Sequence, residues 1–100
     1  MTRSLLVVFN DAFALPLGIQ GALDQIPQVS FWYRCFPNAI FVTANLSAND
    51  LAGLLRQRFG ADRTKRFIVA QLRPDEVQGW LPSQAWHMIN NPLSPREPAK

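Results

Sequence analysis

The residues best placed to do chemistry in this chain are five cations, Arg56, Arg58, Arg63, Lys65 and Arg66, gathered in one stretch. Clustered guanidinium and ammonium groups suit a phosphate backbone, where each contact adds about one unit to the salt dependence of affinity. The plainer reading of the same run is a solvated surface. The other reactive side chains stand apart. His87 is the sole histidine, has no cysteine or second histidine at metal-ligand spacing, and reads as a helix-surface residue. Ser47 and Ser83 sit where helices begin and have no base assigned to them, so nucleophilic catalysis has no support. Asp24, Asp50 and Asp62 fall on or beside helices, Asp75 and Glu76 fall in a loop, and no glycine-rich phosphate loop is present. Cys35 is the only cysteine, which excludes an intrachain disulfide and reads as a small apolar residue within a strand.

The elements that must position these groups belong to one small domain. The chain has 100 residues, of which 48% are hydrophobic and 17% charged, and a net charge of +3. That excess is mild, permissive of a polyanionic partner without amounting to a basic arm. No apolar run reaches the ~18 residues of a membrane span, and residues 4–9 are too short and too strand-like for a signal peptide. The expectation is a soluble cytoplasmic protein with no membrane partner. A core of this size is modest, so a second copy would add noticeably to stability.

Residues 4–9, SLLVVF, form a continuous apolar run suited to an inner strand, and Asn10-Asp11 are turn formers. Pro16 can open a helix whose Ile19, Ala22, Leu23 and Ile26 share one face, although Gly18 and Gly21 weaken it, and Pro27 stops it. Residues 29–36 are dense in aromatics and pair with residues 39–43 across a Pro37-Asn38 turn. Ser47 is an N-cap candidate with Asp50 at the capping-box position and Leu46 placed to staple against Leu51. Leu51, Leu54, Leu55 and Phe59 make the buried stripe, and Gly60 is placed to end this helix in a left-handed conformation. Residues 66–72 form a fourth strand. Within residues 79–90, Pro82 marks the first position of a short third helix carrying Leu81, Ala85, Met88 and Ile89 on one side. The order is the α+β, ferredoxin-like βαββαβ arrangement, a four-stranded antiparallel sheet with two helices on one face and a short C-terminal helix. Its first and fourth strands should be neighbours. The domain spans residues 1–91, and the proline-rich, charged stretch 92–100 should be disordered.

Two helices cover one face of such a sheet, so the other should turn polar along each strand. It does not: Leu5, Val7 and Phe9 alternate with Leu6 and Val8, Phe31, Tyr33 and Cys35 with Trp32 and Phe36, and Phe67 and Val69 with Ile68 and Ala70. Exposed, such a surface invites aggregation. A cover can come from the third helix with Trp80 and Trp86, or from a second chain. The reading preferred from sequence is a symmetric dimer through sheet faces or exchanged C-terminal segments, with Phe31, Trp32, Tyr33, Phe36, Trp80 and Trp86 on the partner face. A base-stacking platform is the sharper alternative, without the Lys/Arg-Gly-Phe pattern of RNA-recognition domains to support it.

The segments NLSANDLAGLL, Arg66-Phe67-Ile68-Val69-Ala70-Gln71-Leu72 and Gly79-Trp80-Leu81-Pro82-Ser83-Gln84-Ala85-Trp86 resemble the small SinR-like proteins of bacteria and phages. That group joins a hairpin, a "dLSadeL" helix opening and a "GWLPkeAW" closing segment in one ferredoxin-like domain. Its fold is similar to that of the small CRISPR adaptation proteins and the virulence-associated toxin ribonucleases. The resemblance implies homodimerisation and a phage or mobile-element setting. In the nuclease relatives it also implies an Asp directly after the first strand, where two copies could bring carboxylates to a divalent metal that activates water. Here Asn10 holds that position and Asp11 follows, so Asp11 takes the role through a shifted turn or the site is absent.

The expectation is therefore a homodimeric, non-catalytic binding or assembly module without a cofactor, its partner a nucleic acid or another protein. The alternative is a toxin-type endoribonuclease using Asp11 with Mg²⁺ or Mn²⁺.

Overall fold

A computed structural model describes residues 2–60 and 62–91. Along the chain run β1 (Arg3–Phe9), α1 (Pro16–Asp24), β2 (Val29–Phe36), β3 (Ala39–Ala44), α2 (Ala48–Phe59), β4 (Phe67–Gln71), a single 3-10 turn at Pro74–Glu76, and α3 (Ser83–Asn90). The sheet order is β2-β3-β1-β4 and every pairing is antiparallel, giving the ferredoxin-like α+β fold read from the sequence. β1 and β4 are neighbours, with β4 at the edge. The disorder expected for residues 92–100 lies outside the described residues.

α1 and α2 cover one face. Leu5, Val7, Ile19, Leu23, Ile40, Val42, Leu51 and Leu55 are fully buried there, and Trp32, Phe67 and Val69 pack around them. Burying a side chain of this size contributes roughly 1.5–3 kcal/mol, so this cluster supplies most of the driving force for folding. Phe13, in the loop before α1, seals one end: its ring stacks on Phe67 with centroids 4.3 Å apart and tilts against Phe59 at 5.2 Å. Nothing in the sequence periodicity marks it as core, because it belongs to no regular element. Leu54, read as part of the buried stripe, lies on the flank of α2 and is exposed, leaving Leu51 and Leu55 as the buried pair.

The helix ends follow their local chemistry. Ser47 caps α2, its hydroxyl accepting from the Asp50 amide at 3.0 Å. Leu46 packs in the same cluster as Leu51. Gly60 ends α2 with φ +84° and ψ 177°, so the positive φ expected there is present, but with an extended ψ in place of a left-handed helical one. Pro16 occupies the first turn of α1. A Cβ built on Gly18 would lie 3.8 Å from the Phe59 ring, an ordinary contact, so this helix rests on side-chain packing and not on close backbone approach. Pro82 stands one position earlier than expected, as the N-cap of α3.

α3 lies on the second face. Ala85, Met88 and Ile89 are buried there together with Phe41, and Leu6, Phe31, Tyr33, Cys35, Leu72, Leu81 and Trp86 pack around them. A buried hydroxyl fixes the helix: Ser4 Oγ donates to the carbonyls of Met88 at 2.9 Å and Ile89 at 3.1 Å. These carbonyls belong to the last turn of α3 and have no partner within it. An eight-residue helix is not stable alone in water, so α3 depends on this docking.

Candidate functional site: an apolar row, a saturated turn and a divided set of cations

The strand register sorts the second face into rows that cross all four strands. Phe31 and Ser4 both pair with Thr43, and Tyr33, Phe41, Leu6 and Ala70 form the next row. Beyond it, Phe36 pairs with Ala39, Ala39 with Val8, and Val8 with Ile68. α3 covers the first two rows over β1, β2 and β3, while Ala70 at the β4 end is exposed. The third stays open, with Val8 39%, Phe36 43% and Ile68 61% exposed. The register shift between Tyr33 and Phe36 keeps Phe36 on this face, where its ring lies 6.3 Å from that of Phe41. Val8, Ile68 and Arg66 also border a shallow, mostly apolar depression with Phe9, Asn10 and Phe67.

The aromatic residues expected on a partner face therefore divide. Phe36 is on the open row. Phe31 and Tyr33 are half-buried beneath α3 of the same chain, and Trp86 is half-buried on α3 itself. Trp32 points to the opposite face, where its indole N–H donates to Asp24 Oδ1 at 2.7 Å. Trp80, read as a possible cover, covers nothing: it is 99% exposed in the segment leading to α3. Cys35 is half-buried, and that burial raises its thiol pKa, which leaves it less reactive at neutral pH.

The turn after β1 has a clear structural use. Asn10 Nδ2 donates to the Thr64 carbonyl at 2.8 Å, while Asn10 Oδ1 accepts from the amides of Phe13 at 3.0 Å and Arg66 at 3.1 Å. Its amide thereby ties the β1 exit to the α2–β4 loop. A carboxylate could make the two acceptor contacts but could not donate to Thr64, which explains Asn at this position. Asp11 is exposed, and its carboxylate accepts from Asn38 Nδ2 of the β2–β3 turn at 2.9 Å. Among the described residues no group of three or more His, Cys, Asp or Glu is placed to hold a metal ion.

The five cations are likewise not equivalent. Lys65 Nζ donates to the Phe59 carbonyl at the end of α2, at 3.0 Å. Arg58 donates to Gln25 Oε1 at 2.7 Å and lies 6.0 Å over the Phe59 ring. Arg66 Nε donates to the Arg63 carbonyl at 3.0 Å, and both residues lie exposed in the entry to β4. Arg56, on α2, is exposed. Asp62 organises this loop: its Oδ1 accepts from the Thr64 hydroxyl and the amides of Thr64 and Lys65, and those bonds, the Thr64 hydroxyl first, lower its pKa. His87 lies in the last turn of α3. Among the described residues no helix is long and apolar enough to cross a membrane.

Comparisons with protein-family models, with curated proteins and with solved structures return no match for this chain. The class of protein is therefore defined by the fold and by the open row: a ferredoxin-like domain whose third helix leaves part of its second face uncovered.

Proposed function

We propose that this chain is a small, SinR-like, homodimeric binding or assembly module of the cytoplasm, of phage or mobile-element type, acting without catalysis. The observation that carries the reading is the open row of Phe36, Ala39, Val8 and Ile68, which stays uncovered after α3 has docked. Large apolar side chains next to one another on a strand surface are stabilised when a second surface excludes water from them. Sedimentation or light scattering at micromolar concentration tests this: twice the chain mass is expected, and a single-chain mass overturns the dimer. Ile68→Glu, at the β4 end of the row, should weaken the association while leaving the far-ultraviolet spectrum intact.

Nucleic acid is the partner that Arg56, Arg63 and Arg66 support: Arg58 and Lys65 are tied to groups on or beside the helices, whereas the Arg66 side chain bonds through Nε within the entry to β4. Charge reversal at Arg56, Arg63 and Arg66 should lower affinity and flatten its salt dependence; an unchanged affinity removes these residues from the reading. The catalytic alternative rests on Asp11 alone. RNA cleavage that requires Mg²⁺ or Mn²⁺ and disappears in Asp11→Ala would replace the binding module with an endoribonuclease.

A further inference from the structure

The two edges of the sheet are built differently. The β2 edge is irregular: its register slips between Val29 and Phe31 and again between Tyr33 and Phe36, and it carries the exposed Arg34. Bulges and charges of this kind discourage a strand from pairing with another chain. β4, Phe67–Gln71, has an unbroken register with β1 and contains no charged residue.

Hydrogen-bond parity shows which groups of β4 face outward. Asn10 N donates to Arg66 O, and Leu72 N to Ser4 O. In an antiparallel ladder, bonded and non-bonded pairs alternate. Val8–Ile68 and Leu6–Ala70 are thus bonded pairs, and the N–H and C=O groups of Phe67, Val69 and Gln71 point away from β1. Consistently, Phe9 N donates to Asn38 O, so the odd residues of β1 serve β3 and the even ones serve β4.

The charges around β4 are polarised. Its entry holds Arg63, Lys65 and Arg66 against the single carboxylate of Asp62, which bonds to Thr64 and Lys65 within the loop, and the Lys65 ammonium is turned back to Phe59. Its exit holds Asp75 and Glu76, exposed and sharing Arg73 at 3.5 and 3.7 Å. One end is basic and the other acidic. Two copies of such a strand placed antiparallel set the basic entry of each beside the acidic exit of the other, whereas a parallel placement opposes like charges.

From these observations we infer that β4 is the edge at which a second copy of this chain adds, antiparallel and two-fold symmetric about Val69, to make one continuous eight-stranded sheet. This centring pairs all three outward residues: Val69 with its symmetry mate, and Phe67 with the second copy's Gln71. It forms about six backbone hydrogen bonds. Ile68 then faces the second copy's Ala70 as a non-hydrogen-bonded pair on the second face. The open row continues across the junction into the second copy's exposed Ala70 and then its Leu6, Phe41 and Tyr33, which its own α3 covers. The isologous arrangement uses up both β4 edges, and the joined sheet then ends on the two irregular β2 edges, which discourage a third chain.

This inference rests on the dimer reading, and the test separates the two. In a Cys35→Ser background, Ile68→Cys chains are mixed with Ala70→Cys chains under oxidation. The facing Cα atoms of such a pair are about 4.5 Å apart, within disulfide reach. The mixture should crosslink at least tenfold more than either variant alone, because each variant alone has its cysteines offset across the axis. Val69→Pro should halve the mass with an unchanged far-ultraviolet spectrum, since it removes an outward N–H and no bond to β1. A dimeric mass with no excess crosslinking in the mixture overturns the edge and leaves the dimer standing; Val8→Cys chains that crosslink in its place would locate the contact on the sheet face. A single-chain mass for the unaltered protein overturns both.

Discussion

The two faces of this sheet reach burial by different routes. Under α1 and α2, twelve buried residues form one connected apolar cluster, and no buried polar side chain is among them. Under α3 only Phe41, Ala85, Met88 and Ile89 form the buried centre, and the polar residues Ser4 and Thr43 lie buried on the same face. The first face is held by area. The second depends on a short helix, a hydroxyl latch and fewer apolar contacts, and it stops one row short of the strand ends. The difference teaches where the molecule has stability to spare. Folding is secured on the first face, which leaves the second free to be partly open.

Truncations give the largest separation between the faces. Leu55→Ala should cost about 3–5 kcal/mol and Met88→Ala about 2–3 kcal/mol in urea unfolding, following the usual cavity penalties. Amide exchange sharpens the contrast: Met88→Ala should release α3 while the β1–β3 amides stay protected, whereas Leu55→Ala lowers protection throughout. Equal loss everywhere in both variants would mean that the two faces fold as one unit.

Ser4→Ala removes the latch and leaves the Met88 and Ile89 carbonyls of the last α3 turn unpartnered. About 1–2 kcal/mol should be lost, with faster exchange in α3. Preserved exchange there would show that apolar contact alone holds the helix.

Asn10→Asp keeps the acceptor contacts to Phe13 and Arg66 but turns a carboxylate oxygen towards the Thr64 carbonyl. A loss of about 1 kcal/mol is expected, together with increased protease sensitivity of the α2–β4 loop. If Asp at this position were neutral, the amide would not be the reason for Asn.

Thr43→Val should run the other way. Thr43 Oγ1 is buried and has no hydrogen-bond partner among the described residues. Replacing it with a methyl group of the same shape should raise stability by about 0.5–1 kcal/mol, read as a higher urea midpoint.

The smallest effect is the acid dependence of the loop. Asp62 has a native pKa below its unfolded value, so its contribution is present at neutral pH and lost as pH falls through the depressed native value. Exchange at Thr64 and Lys65 should therefore be faster in Asp62→Ala than in the unaltered chain at neutral pH. The two should converge in acid.

Much of this architecture was legible before any coordinates. Period-two apolar runs, the Pro37-Asn38 turn, the Ser47 cap and the prolines flanking the helices are local signals, set by backbone sterics and hydrogen bonding within a few residues. They were enough to order the elements and to identify a sheet apolar on both sides. Phe13 carried no signal and Leu54 was misread for a shared reason: burial of a loop residue or of a helix flank depends on what packs beside it, not on its own spacing.

The candidate site was less legible. The sequence by itself determined the cations, the aromatic density and the Asn10-Asp11 turn as ingredients. Only the tertiary structure decided that Trp32 faces the helices, that Trp80 covers nothing and that Asn10 is spent on Thr64, Phe13 and Arg66. It also decided that α3 stops before the row of Phe36, Ala39, Val8 and Ile68. The physical reason is range. Alternation and capping act between neighbours in the chain, whereas rows, edges and covers are set by register between strands far apart in sequence.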